Sequence, residues 1–338
     1  MTLANECLTF SDVMAQLKAG AAALSSSMLY ALTAPSSKDI KEFAQLWPTL
    51  PVEQRVKIIH ILAEQAEANF ELDLNALFRV AMVDTDGRVR TVAIEGLWED
   101  EEPSLVQPLV QVLRHDPVVS ARAAAATSLG RFVLLLDLDE LDERFAEPVH
   151  GALAAAIDDA GEDLEVRRRA VESIAYWDDP SVVDFISEAY QSDHEPMRVS
   201  AVFAMGRSAD TMWAETVCTE LASPNPAMRY EAARAAGELE IKAALPALIK
   251  LVSDRDREVQ LAAVTALGQV GGQKAKQVLE RCAGNPDEAL NLAAEDALAE
   301  LALGRKPLDL LVLDNDAELD EDQPELDDEG DSDEEDDD

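Results

Sequence analysis

PMRVSAVFAMG (196–206), AMRYEAARAAG (227–237) and EVQLAAVTALG (258–268) are three copies of one pattern. Each has an apolar residue, a long polar one, a small residue three positions later and an apolar residue seven later. EVRRRAVESI (165–174) and ALNLAAEDALA (289–299) flank them in the same register. The polar positions are Arg167, Arg198, Arg229, Gln260 and Asn291, each 31 residues from the next. Upstream, QRVKIIHIL (54–62), RVRTVAIEGL (88–97) and SARAAAATSL (120–129) are degenerate copies built around Arg55, Arg90 and Arg122. Their steps of 35, 32 and 45 residues mark insertions. The longest insertion, FVLLLDLDELDERFAEP (132–148), is expected to lengthen a helix or add an acidic loop on one rim. A fixed period in this range is the signature of a repeat array, in which each unit buries its apolar face against its neighbours.

The spacing within each copy is helical. At 3.6 residues per turn, the apolar residue before the Arg and the residues three, four and seven after it share one face. In the fourth copy these are Val166, Ala170, Val171 and Ile174. Composition agrees: 48% of the 338 residues are hydrophobic but only 5% aromatic, so Ala, Leu and Val dominate, and small side chains let helices pack closely. Asp84, Asp86, Asp116, Asp193, Asn225, Asp254, Asp256 and Asp287 fall between helices, where short polar side chains cap backbone N–H groups. The expected fold class is all-α, an α-solenoid or superhelix of about eight two-helix repeats. Residues 1–35 form a helical extension, with Ser11 and Asp12 as the N-cap of its first helix. Residues 36–304 form the solenoid, and 305–338 a disordered acidic tail.

The repeated Arg lies near the start of its helix and towards the buried side, so it is expected to bond turn carboxylates or carbonyls of its own and adjacent repeats. Charge at Glu295, where earlier copies hold Val171, Val202, Ala233 and Val264, marks a capping repeat.

With its V-R-x-x-A-x-x-x-L-G core, the pattern resembles the HEAT-like repeats of the phycobilisome-lyase type, an armadillo-type superhelix, over most of residues 36–304. Two kinds of enzyme share such repeats: phycobilin lyase subunits and deoxyhypusine hydroxylases. The resemblance implies that a hydroxylase would carry His-Glu pairs directly after the repeat Arg, binding two irons. Those positions here read Thr91-Val92, Ala123-Ala124, Arg168-Arg169, Val199-Ser200, Tyr230-Glu231, Leu261-Ala262 and Leu292-Ala293. His194-Glu195 precedes Arg198 and falls in a turn. No metal or other cofactor is expected, and no catalytic residue carries over from the lyases. His60, His115, His150 and His194 occupy unrelated registers, and Gly271-Gly272 separates two repeats without forming a phosphate loop.

Function is therefore expected at the surface. Positions one, two and five after the repeat Arg point away from the core and line the concave groove of such a solenoid. The first of them reads Val199, Tyr230, Leu261 and Leu292; beside it lie Phe203, Glu231 and Arg234 and, one repeat earlier, Arg168, Arg169 and Glu172. Apolar residues ringed by charge suit a protein-binding groove. The competing arrangement is that they pack sideways between adjacent second helices. The reading is a non-catalytic protein scaffold or adaptor that grips an extended or amphipathic partner segment. The alternative is a lyase-like or other modifying enzyme subunit, or a chaperone, on the same repeats.

Charge narrows the partners. The chain has 68 acidic and 28 basic residues, net −40, and Asp314 to Asp338 holds 17 acidic residues and no basic one. Neither nucleic acid nor an anionic membrane finds a basic stripe here, so the expected partner is protein, with basic proteins favoured by the tail. Cys7, Cys218 and Cys282 are scattered and odd in number, as in a reduced, cytoplasmic protein. The stretch from Ala19 to Ala34 imitates an export signal, but Glu6 and Asp12 precede it where a positive segment belongs. PLDLLVLD (307–314) is expected to dock on the cap.

Overall fold

The computed structural model describes residues 8–303, in which every regular element is helical. Two short helices, α1 (Phe10–Lys18) and α2 (Ser26–Leu32), precede eight helix pairs. The first helix of each pair is termed A and the second B. The pairs are α3 (Ser37–Leu46) with α4 (Val52–Ala68), α5 (Asn75–Ala81) with α6 (Gly87–Gly96), and α7 (Val106–His115) with α8 (Val119–Asp137). Next come α9 (Ala146–Asp158) with α10 (Leu164–Ile174), and α11 (Pro180–Tyr190) with α12 (Glu195–Arg207). The last are α13 (Ala214–Glu220) with α14 (Pro226–Glu238), α15 (Leu245–Leu251) with α16 (Arg257–Val270), and α17 (Gln273–Cys282) with α18 (Glu288–Leu303). Cys7, the acidic tail and the 307–314 run lie outside the described residues.

Short polar side chains set the corners. Asp84, Asp116 and Asp254 each accept the N–H two residues on, at 2.8–2.9 Å, which closes the turn between A and B. Asp86, Asp163, Asn225 and Asp256 then cap the starts of α6, α10, α14 and α16. In α1 the cap is Thr9, two residues before the expected Ser11; Asp12 sits at the third helical position and completes a capping box with Thr9. B helices end on a left-handed residue at a fixed place: Ala209 (φ 52°), Glu240 (φ 48°) and Gly271 (φ 71°). The 31-residue period thus extends to a strained corner that only the third copy fills with glycine.

Curvature follows from which helices can approach. Consecutive B helices touch along their length throughout the array, whereas consecutive A helices touch little. Small residues make the B–B approach possible. A Cβ placed on Gly206, Gly237 or Gly268 would lie 2.9–3.0 Å from the Cα of Ala235, Ala266 or Ala297, one repeat on. The B helices therefore form the inner, concave side and the A helices the splayed outer side.

The long step between Arg122 and Arg167 is taken up in both expected ways. α8 runs on to Asp137, burying Phe132, Val133 and Leu135, and a loop with a single 3₁₀ turn leads back to α9. By length and composition α8 is also long and apolar enough to cross a membrane, yet more than half of it is buried among α6, α7 and α10. At the far end, Glu295 is exposed, where the matching Val171, Val202, Ala233 and Val264 are buried by a following repeat.

Candidate partner-binding surface

The repeat arginines form a ladder along the array. Four of them reach back six residues with one guanidinium nitrogen: Arg90 to the Asp84 carbonyl, Arg122 to Asp116, Arg198 to Ser192 and Arg229 to Ser223, all at 2.7–2.9 Å. Arg167 instead donates to the Ile157 carbonyl at 3.0 Å and Arg55 to the Pro48 carbonyl at 3.4 Å. The remaining nitrogens reach forward to an acid in the next turn. Arg90 binds Asp116 through two bonds of 2.7 Å, Arg122 binds Glu162 at 2.9 and 2.7 Å, and Arg229 binds Asp254 at 2.9 and 2.7 Å. Arg55 lies 3.2 Å from Asp84. The guanidinium holds the Asp116 and Asp254 carboxyls below their ordinary values, through Arg90 and Arg229 respectively, against the opposing effect of burial. Where the turn residue is Ser192 or Ser223, the preceding Arg167 and Arg198 have no ion pair among the described residues. At the end of the array Gln260 reaches the Asp254 carbonyl and Asn291 the Ala283 carbonyl, which retains the backbone bond without the charge. Where the ion pair is present the ladder ties one repeat to the next, and those guanidinium groups are committed to it.

The ten candidate residues lie on α10, α12, α14, α16 and α18. Arg168 donates to the Ser200 hydroxyl at 3.0 Å and to the Pro196 carbonyl at 3.1 Å, crossing from α10 to α12. Glu172 accepts from Ser200 at 2.6 Å and from Arg169 at 2.8 Å. Phe203 lies between two guanidinium groups, Arg207 at 5.2 Å and Arg234 at 5.4 Å from its ring centre. Arg207 also stacks on Tyr176 at 5.7 Å, and Arg234 on Tyr230 at 5.7 Å. Glu238 lies 3.3 Å from Arg207 and 3.6 Å from Arg234. The result is an alternating ladder, Tyr176–Arg207–Phe203–Arg234–Tyr230, across three repeats of the inner face. Glu231, 3.4 Å from Arg234, is pushed up to about 7 because burial outweighs the attraction of Arg234 and because Glu172 and Glu238 are near.

The apolar series is only partly free. Val199, Tyr230 and Leu261 are half-buried and packed against the core, sideways between neighbouring B helices; Leu292 is 58% exposed because no described B helix follows it. The second positions are more covered than a helical wheel of one isolated helix implies: Ser200 and Ala262 are buried, and Glu231 is largely so. Close B–B approach encloses them. Arg169, Phe203 and Arg234 at the flank keep partial exposure. Sequence reasoning missed the ninth position after the repeat Arg, which supplies Arg131, Tyr176, Arg207 and Glu238 to the same face. Its signal was the register itself, extended past the end of the quoted motif.

Among the described residues no three His, Cys, Asp or Glu side chains converge as metal ligands would. Cys218 and Cys282 are unpaired, and burial raises both thiols.

No curated protein matches the sequence. Solved structures that align include human deoxyhypusine hydroxylase in complex with glycerol, at 18% identity and TM-score 0.35, covering 79% of this chain and 96% of that one. A designed armadillo repeat protein aligns at 19% identity and TM-score 0.38, over 58% of this chain and 99% of that one. Kap95p, from its complex with RanGDP, aligns at 14% identity and TM-score 0.45, over 92% of this chain and 48% of that one. Residues 214–299, which span α13 to α18, match the family of HEAT repeats. The described chain is an all-α solenoid of eight helix pairs whose last three carry the HEAT repeat in their sequence.

Proposed function

We propose that the protein is a non-catalytic scaffold that holds a segment of another protein along its inner face. The supporting observation is the arginine–aromatic ladder from Tyr176 to Tyr230. It supplies half-exposed rings and guanidinium groups on α12, α14 and the turn after α10, pre-ordered by Glu231 and Glu238. Pre-ordered aromatic and arginine side chains are what protein interfaces use as anchors, since little side-chain freedom is lost on binding. A cytoplasmic setting and a membership of the phycobilisome-lyase-type repeats are part of this proposal. The second reading, a modifying enzyme subunit, rests on the resemblance of the repeats alone.

Crosslinking and mass spectrometry on the native complex tests it. Crosslinks on α10, α12 and α14 and loss of partner affinity in Tyr230→Ala are expected. Because Leu261 is packed sideways, Leu261→Asp is read only where its melting curve matches the wild type. Crosslinks confined to the A helices, or recovery of a single covalently modified substrate, would refute the scaffold.

A further inference from the structure

Nearer the first repeats, the inner faces of α6, α8 and α10 line a half-open pocket of about 550 Å³. Arg131 stands on its wall. It donates through Nη1 to the Trp98 carbonyl and through Nη2 to the Ser128 hydroxyl at 3.2 Å, while its Nε is buried without a partner. No carboxylate among the described residues lies within 4.0 Å of it. The other arginines of the inner face, Arg168, Arg169, Arg207 and Arg234, each have one within that distance. Burial lowers the pKa of the Arg131 guanidinium, against the attraction of Asp100 and Glu101, neither of which reaches it as an ion pair.

Arg131 stacks on the buried Phe132 ring at 4.9 Å, and Trp98, which lines the same pocket, pairs with Phe70. Trp98 is 46% exposed, and Phe70, at the corner after α4, is 77% exposed; they meet edge to face with centres 6.4 Å apart. An aromatic pair left in water, one ring of which lines the pocket of an arginine without an ion pair among the described residues, is an unfilled contact surface. Two acids share the cavity. Glu165 is already held by Arg168 at 2.6 Å and Arg169 at 2.8 Å, so it does not compete for Arg131. Glu95 has no cation within 4.0 Å among the described residues, and burial raises its carboxyl against the attraction of His60.

We propose that this cavity is an anchor for a partner protein segment that places an Asp or Glu carboxylate on Arg131 and an adjacent aromatic or aliphatic side chain against Trp98 and Phe70. The inference rests on the scaffold reading and adds the chemistry of the segment. It runs against the overall charge: a chain of net −40 uses this pocket to select an acidic residue.

The test is a displayed library of random ten-residue peptides, selected on the full chain. Enriched peptides are expected to share Asp or Glu next to Trp, Phe, Tyr or Leu. Their binding should fall at least tenfold with Arg131→Met, with Trp98→Ala, and when the peptide acid is replaced by its amide. Melting curves show that each variant is folded. Enriched peptides without an acidic position, or binding indifferent to Arg131→Met, would overturn the anchor. If those peptides instead lose affinity with Tyr230→Ala, the scaffold stands and this site does not. Failure to enrich any peptide would count against both. Displacement of a bound peptide by millimolar succinate would reassign the cavity to a small carboxylic acid.

Discussion

Replacing Arg229 by Gln and Asp254 by Asn repeats a change that the chain makes one repeat later, where Gln260 and Asn285 occupy the corresponding places. Arg229 gives Asp254 two bonds of 2.9 and 2.7 Å, and both side chains are mostly buried, 16% and 10% exposed. Breaking a fully buried ion pair by removing one partner costs about 3–5 kcal/mol. The residual exposure and the carbonyl bond that Gln can keep, as Gln260 does, bring Arg229→Gln to about 2–3 kcal/mol. Asp254→Asn leaves the guanidinium without its acid but preserves the turn bond to the Asp256 N–H, at about 2 kcal/mol. With both changed no charge is stranded, and the double variant should lose only about 1 kcal/mol, a coupling of about 3 kcal/mol. Urea denaturation followed by circular dichroism measures the three variants, with hydrogen exchange of the α14 and α16 amides as the local readout. The sign with pH is fixed by the depressed Asp254 carboxyl. The stability of the pair is present above its ordinary value of 3.8 and lost as pH falls through the lower folded value, so wild type and Arg229→Gln converge in acid. A double variant as unstable as the sum of the singles would refute the ladder as a charge pairing.

Glu231→Gln tests the inner face. Between the ordinary value of 4.5 and the folded value of about 7, the unfolded chain ionises Glu231 and the folded chain does not, so wild-type stability falls relative to the variant by up to about 3 kcal/mol as pH rises through that window. Parallel stability curves from pH 4 to 8 would show that Glu231 is not desolvated. Gly237→Ala places a Cβ 2.9 Å from the Ala266 Cα and should cost about 1–3 kcal/mol despite the helix preference of Ala, with Ala266→Gly in the same chain recovering part of the loss. A stabilised Gly237→Ala on thermal denaturation would mean that the B helices are further apart than described.

The helix pairs were legible because every repeat buries the same face, so one register of Arg, Ala and Leu predicts eight B helices at once. The Arg ladder was legible for the same reason: a long cation at a semi-buried helix start has only the neighbouring corner to bond. The inner face was harder to read. A helical wheel treats a helix as standing alone, whereas glycine at Gly206, Gly237 and Gly268 draws the B helices close enough to cover Ser200 and Ala262. The Arg131–Trp98 cavity was not legible at all, since it lies where the early repeats have lost the period and α8 has been extended.

The glycine–alanine seam also decides how the array can deform. Material on the inner side is already at contact and cannot be compressed, while the A helices on the outer side are separated by side chains with few neighbours. The neutral line of bending therefore lies along the B helices. Flexure opens or closes the gaps between A helices like the ribs of a fan and scarcely alters the distances from one B helix to the next. The inner face keeps the rise between successive repeats constant while its radius changes. On the proposed scaffold function, partners of different girth would meet the same evenly spaced row of side chains.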